Sequence, residues 1–75
     1  MPHITVKLWP GKDQSKKQKL AEAIKEITVK ILEVPETSIS VAIEEVSKED
    51  WISKVKKPEI LDNDKNIYIY PASIT

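Results

Sequence analysis

The chain has 75 residues, enough for one small domain and too few for two. Twelve lysines, with no arginine, balance twelve acidic residues, which argues against nucleic-acid binding because such binders usually carry a basic excess. There is no cysteine, which excludes disulfides and zinc–thiolate sites, and the single histidine argues against a histidine-rich metal site. No apolar run reaches the ~20 residues of a membrane helix, and the N-terminus lacks a signal-peptide pattern. We therefore expect a cytoplasmic protein that binds neither membranes nor nucleic acid.

The first predicted element is a strand over residues 3–8. Apolar Ile4, Val6 and Leu8 alternate there with polar residues, the pattern of a half-buried strand. A Pro-Gly pair at 10–11 follows, contains the chain's only glycine, and predicts a turn.

The second predicted element is a helix over residues 16–33, followed by Pro35, which ends it. Either Asp13 or Ser15 can cap its N-terminus, and Ser15 with Gln18 fits a capping box. The expected buried stripe consists of Leu20, Ile24, Ile27 and Ile31, with Ala23 and Val34 at its edge.

A second strand is predicted over residues 38–46. Strand, helix and strand in this order predict an α+β fold, a β-α-β unit with parallel strands and one right-handed crossover helix. The helix covers one face of the sheet and leaves the other face open. Because parallel sheets are usually covered on both faces, we expect a second subunit to complete the sheet.

The remaining residues form a less regular tail. Residues 48–57 suggest a short helix that Pro58 ends, and residues 59–64 suggest another helical turn. Residues 67–70 are β-prone and suggest a short terminal strand.

Pro2 is the residue most open to a chemical role. Initiator methionine is normally removed before a small residue such as proline, which leaves a free secondary amine on Pro2. Such an amine has a reference pKa of about 8, so only about a tenth is neutral at pH 7. Burial or a nearby cation lowers that pKa and makes a better base. The alternative is an ordinary second residue at a frayed terminus.

Several features together carry a family resemblance. Pro2 heads a strand, Gly11-Lys12 follows it, a helix runs through Leu20, and Pro35-Glu36-Thr37-Ser38-Ile39 leads into the second strand. This arrangement resembles the 4-oxalocrotonate tautomerase family, small amino-terminal-proline tautomerases with a β-α-β core.

The resemblance runs without gaps from Pro2 to about Trp51. It implies a single tautomerase-like domain over residues 1–75, with a core at 2–51 and a tail at 52–75. The segment 38–46 and the Glu-Asp-Trp run that ends at Trp51 are most similar to the dimeric PptA-type branch with phenylpyruvate activity.

The resemblance implies a role for four residues. Pro2 is the general base, Lys12 holds the substrate carboxylate, and Trp51 forms an aromatic wall of the pocket. Ser40 contacts substrate at the position where dicarboxylate-specific members carry an arginine, so a monoacid such as phenylenolpyruvate is favoured over a diacid. No metal or organic cofactor is implied.

Each role has a structural alternative. Lys12 is otherwise a solvated turn lysine, Ser40 a polar residue on the second face of its strand, and Trp51 a packing or dimer-contact residue. His3 is expected on the outer or interface face of the first strand rather than as a base.

Two functional alternatives remain beside the tautomerase. One is a hydratase or dehalogenase that acts on unsaturated acids, and the other is a non-catalytic dimeric interaction module. The expected partners are a small enol or 2-oxo acid and further copies of the chain. A dimer is favoured over a hexamer because the glycine-rich hairpin of the hexameric members has no counterpart beyond Gly11.

Overall fold

The computed structural model describes residues 1–72, and the predicted β-α-β unit lies within its first compact unit, Met1–Glu45. The described residues from Val46 onward belong to a second compact unit. The elements of the first unit are β1 (His3–Leu8), α1 (Gln14–Leu32), a 3₁₀ turn (Glu36–Ser38) and β2 (Ser40–Glu45).

Strands β1 and β2 pair in parallel, as the sequence predicts. His3 lies opposite Ser40 and Leu8 lies opposite Glu45. Strand β2 is shorter than the predicted 38–46, because the Ser38 hydroxyl donates to the carbonyl of Pro35 at 2.7 Å and holds the preceding residues in the 3₁₀ turn.

Helix α1 begins at an aspartate cap. The Asp13 carboxylate accepts the N–H of Lys16 at 2.8 Å, which satisfies one of the free N–H groups of the first turn. Of the two predicted caps Asp13 is confirmed, and Ser15 lies inside the helix. At the other end Glu33 adopts a left-handed conformation with φ 56°, and its N–H donates to Val29 at 2.9 Å.

The predicted buried stripe of α1 is mostly wrong. Leu20, Ile27 and Ile31 are 41%, 50% and 68% exposed, and only Ile24 of the four is half-buried. A two-stranded sheet is too narrow to cover every apolar residue of a 19-residue helix, so one side of α1 stays uncovered. The half-buried helix positions are Lys17, Ala21, Ile24, Lys25, Thr28 and Val29.

Two ion pairs tie α1 to the rest of the first unit. The Lys17 Nζ lies 2.6 Å from Glu45 Oε2 at the end of β2. The Lys25 Nζ lies 3.2 Å from Glu36 Oε1 in the 3₁₀ turn.

The second unit is mainly helical. Helix α2 (Lys48–Trp51) begins at Ser47, whose hydroxyl accepts the N–H of Asp50 at 3.2 Å, and continues as a π-helix over Ile52–Leu61. Pro58 lies inside that helix, so the prediction that it ends the helix is wrong. An α-helical proline clashes with the carbonyl four residues earlier, and the wider i→i+5 turn relieves the clash.

Residues 67–70 form no strand within the described chain, so the predicted terminal strand is wrong there. A 3₁₀ turn over Asp64–Asn66 precedes them, and the Tyr70 hydroxyl donates to the Asp64 carboxylate. β-Prone residues form a strand only where another strand pairs with them, and among the described residues the sheet contains β1 and β2 alone.

The described residues contain very little buried core. Val55, at 6% exposure, is the one hydrophobic residue among them that is buried, and no side chain among them is fully buried. No helix in this part of the chain has the length and apolarity needed to cross a membrane.

Candidate functional site

Pro2 is held at the entrance to β1. Its carbonyl accepts the backbone N–H of Ser40 at 3.2 Å, which extends the strand pairing by one residue. The residue is half-buried, whereas the preceding Met1 is 99% exposed. Pro2 is therefore fixed in the fold, and the Met1–Pro2 bond is accessible to a processing enzyme.

Ser40 lies beside Pro2 at the start of β2. Its hydroxyl is 2.6 Å from Nδ1 of His3, and Nε2 of His3 is 3.1 Å from the hydroxyl of Thr5. The strand register puts these three residues on one face of the sheet, opposite the face that carries Val41 and Ile43.

Helix α1 covers the Val41 face. A cleft of about 210 Å³ between helix and sheet is lined by Val41 and Ile43 together with helix residues from its first two turns. The His3–Ser40–Thr5 group therefore lies on the open face of the sheet.

Lys12 lies at the opposite end of β1. It is exposed and lines a second cleft, of about 260 Å³, with Leu8 and Leu20 as apolar walls. Lys16 and Lys17 also line this cleft, and the Lys17 charge is paired with Glu45. An apolar cleft with a cationic rim suits a small carboxylate that carries an apolar group.

The six residues of β1 separate Pro2 from Lys12. At 3.3 Å per residue, the Cα atoms of His3 and Leu8 are about 17 Å apart. A single chain thus brings Pro2 and Ser40 together but leaves Lys12 at the far end of the sheet.

The fourth predicted residue, Trp51, belongs to the second unit. It is the last residue of α2 and is half-buried. Among residues 1–72, no three His, Asp or Glu side chains stand close enough together to bind a metal ion.

Two features of the site were missed from the sequence. One is the His3–Ser40 hydrogen bond, which an explicit alignment of the two parallel strands would have suggested, because the two residues are register partners. The other is that Lys16 lines the same cleft as Lys12, which helical spacing does not indicate because Lys12 precedes the Asp13 cap.

Comparison with known proteins gives consistent matches. A family model described as "Tautomerase enzyme" matches residues 2–59. A probable tautomerase of Xylella fastidiosa is 38% identical over 60 residues, which cover 80% of this chain and 73% of that protein. The tautomerase PptA of Cronobacter sakazakii is 43% identical over 61 residues, 80% of each chain. The crystal structure of DmpI from Helicobacter pylori superposes with a TM-score of 0.58 at 39% identity, covering 61% of this chain and 78% of that one.

Proposed function

Because the chain belongs to the tautomerase family and is therefore an isomerase, we propose that it interconverts the keto and enol forms of a small 2-oxo acid. The proposed substrate is a phenylpyruvate-like monoacid. The proposed base is the amine of Pro2 after removal of Met1.

The observation that carries this proposal is the environment of Pro2. A half-buried proline, anchored by Ser40 and preceded by a fully exposed methionine, becomes a fixed secondary amine once Met1 is cleaved. The neutral form of such an amine can accept a proton, which is what a general base requires.

The reaction moves one proton and needs no redox partner. The neutral Pro2 amine accepts the proton of the enol hydroxyl, and the resulting ammonium returns a proton to the carbon of the double bond. The C=C bond becomes C–C as the enol C–O becomes C=O, so the product is an isomer of the substrate. No metal or organic cofactor takes part in this scheme.

We assign the substrate carboxylate to Lys12 of a second copy of the chain. Within one chain the length of β1, about 17 Å, lies between Pro2 and Lys12, whereas the carboxylate of a 2-oxo acid adjoins the reacting atoms. A homodimer with neighbouring sheets in opposite directions would bring Lys12 of one copy to Pro2 of the other. The uncovered apolar residues of α1 and the scarcity of buried core also favour assembly.

The preference for a monoacid follows from the charges beside Pro2. The neutral Ser40 hydroxyl offers one hydrogen bond and no charge to a second carboxylate. Lys12 is a point charge without the paired donors of arginine, so it holds one carboxylate without fixing its plane. For Trp51, the proposal of an aromatic pocket wall rests on the family resemblance alone.

The test is ketonisation of phenylenolpyruvate followed by ultraviolet absorbance, after intact-mass measurement has shown that Met1 is absent. We expect Pro2→Ala, which still permits methionine removal, to lower kcat by about 10²–10⁴-fold. Pro71→Ala, the same substitution at an exposed residue of the second unit, is the matched control and should leave the rate unchanged. Equal rates for wild type and Pro2→Ala would refute the assignment of the base.

A further inference from the structure

The chain's single histidine has both ring nitrogens engaged by hydroxyl groups. Nδ1 lies 2.6 Å from the Ser40 hydroxyl and Nε2 lies 3.1 Å from the Thr5 hydroxyl. His3 follows Pro2 directly, and Ser40 is bonded to the Pro2 carbonyl. The imidazole is therefore part of the surroundings of the proposed base.

The protonation state of His3 determines the direction in which the Ser40 hydroxyl donates. In a neutral imidazole one nitrogen donates and the other accepts. When the proton is on Nε2, Nδ1 accepts from Ser40, so the serine hydrogen points at the ring. When Nδ1 carries a proton, it donates to the Ser40 oxygen, and the serine hydrogen is free to point away from the ring.

We propose that His3 is a positioning residue for Ser40, and that a proton on its Nδ1 turns the Ser40 hydroxyl into a donor to a carbonyl or carboxylate oxygen of the substrate. The inference rests on the proposed function, which gives Ser40 its substrate. The hydrogen-bond chain runs from Nδ1–H to the Ser40 oxygen and from the Ser40 hydrogen to the substrate. With both nitrogens protonated this chain carries a positive charge, and no proton is transferred to the substrate.

Few other charged groups share the open face of the sheet with His3. Lys7 and Glu44 are register partners on that face and are separated from the His3–Ser40 pair by Thr5 and Ala42. In the 3₁₀ turn before β2, Glu36 is paired with Lys25. Within residues 1–45 the chain's terminal amine, on Met1 or on the processed Pro2, is a further charged neighbour.

This geometry predicts that the affinity for a ligand with an oxygen acceptor depends on pH. Histidine is the side chain whose charge changes between about pH 5 and 8. A neutral hydrogen bond that becomes charge-assisted strengthens by about fivefold in affinity. We therefore expect an oxygen ligand to bind about fivefold more tightly when His3 is doubly protonated than when it is neutral.

The binding test uses phenylglyoxylate, a 2-oxo acid with no hydrogen on the carbon next to the carbonyl and therefore no enol form. Its Kd is measured by calorimetry at pH 5.5 and at pH 8.0. His3→Asn keeps a hydrogen-bonding group near the Nδ1 position but cannot titrate, and Ser40→Ala removes the donor. Any pH effect that comes from the Pro2 amine is common to all forms of the protein, so both variants should lower the ratio of the two Kd values about fivefold relative to wild type. Ser53→Ala, at a serine that donates to the Asp50 carbonyl in the second unit, should leave that ratio unchanged. The same pH effect in wild type, His3→Asn and Ser40→Ala would overturn the proposal.

Nuclear magnetic resonance of the His3 ring tests the pairing without any ligand. A single histidine gives one set of ring nitrogen signals, so the tautomer ratio and its titration can be read directly. Ser40→Ala should change the tautomer ratio, and Ser53→Ala should not. An unchanged ratio in Ser40→Ala would refute the coupling. If the wild type binds phenylglyoxylate as expected but does not ketonise phenylenolpyruvate, the proposed function fails while the coupling stands.

Discussion

Subunit complementation tests most directly whether Pro2 and Lys12 of one site come from two different copies of the chain. Pro2→Ala alone should lower the rate by about 10²–10⁴-fold because it removes the base. Lys12→Ala alone should lower kcat/KM by about 10–100-fold, mainly through KM, because one charged hydrogen bond to the carboxylate is lost. If each site takes Pro2 from one copy and Lys12 from another, a mixed dimer of the two variants contains one site with both groups intact.

The expected recovery follows from random exchange of subunits. In an equal mixture about half of the dimers are mixed, and each has one intact site and one site that lacks both groups. The mixture should therefore recover about a quarter of wild-type activity. The assay is kcat/KM for phenylenolpyruvate before and after mild denaturation and refolding of the mixture.

The control mixes Pro2→Ala with the double variant Pro2→Ala/Lys12→Ala, in which no pairing regenerates a complete site. If the activity of the Pro2→Ala and Lys12→Ala mixture stays at the mean of the two separate variants, a site built from Pro2 of one copy and Lys12 of another is contradicted. In that case Lys12 either acts on Pro2 of its own chain, against the strand geometry, or does not contact substrate.

Three further predictions concern stability, specificity and assembly. Asp13→Ala should lower the free energy of unfolding in urea by about 1 kcal/mol through loss of the helix cap, whereas Ser15→Ala should change it by under about 0.5 kcal/mol. Ser40→Arg should raise kcat/KM for 2-hydroxymuconate relative to phenylenolpyruvate by at least about tenfold, because it restores a charged donor beside Pro2, and an unchanged ratio would contradict this reading. Tenfold dilution should lower the Tm of a dimer of this size by about 4 °C in calorimetry, and a Tm independent of concentration would exclude obligate assembly.

The parts of the fold that local patterns determine were predictable from the sequence. Strand β1 spans the predicted residues because alternation defines it and the Pro10-Gly11 turn ends it, both within a few residues. For the start of α1 the sequence indicates two possible capping residues, Asp13 and Ser15. Which of them caps the helix depends on side-chain geometry, and residue type alone does not determine that geometry.

The predictions from sequence are wrong where the conformation or burial of a segment depends on contacts with other parts of the structure. The apolar stripe of α1 was assigned as if the whole helix packed on the sheet, but two strands cover only part of it. Pro58 lies inside a helix because the helix widens into a π-helix there. The rule that proline ends a helix assumes α-helical geometry and therefore fails at this position. Residues 67–70 have strand-like composition but no strand to pair with among the described residues.

The candidate site shows the same division. The proximity of Pro2 and Ser40 follows from parallel pairing, which the β-α-β order predicts. The distance between Pro2 and Lys12 follows from the length of β1, which the sequence also predicts. The role of Trp51 depends on which surface its side chain meets in the assembled protein, and no local pattern determines that.

The arrangement of two copies is constrained by the charges of the chain as well as by its geometry. Neighbouring strands that ran in the same direction would bring the two Lys12 side chains to one end, where Lys16 adds to their repulsion, and would leave both Pro2 residues at the other. Opposite directions separate the lysine clusters and place each beside the Pro2 of the other copy. In the proposed dimer a two-fold axis would make both contacts identical, so it would yield two equal sites and would pair sheet edges that a single chain leaves open. The same contact would then complete the sheet and the site, so activity per chain and thermal stability should decline together on dilution.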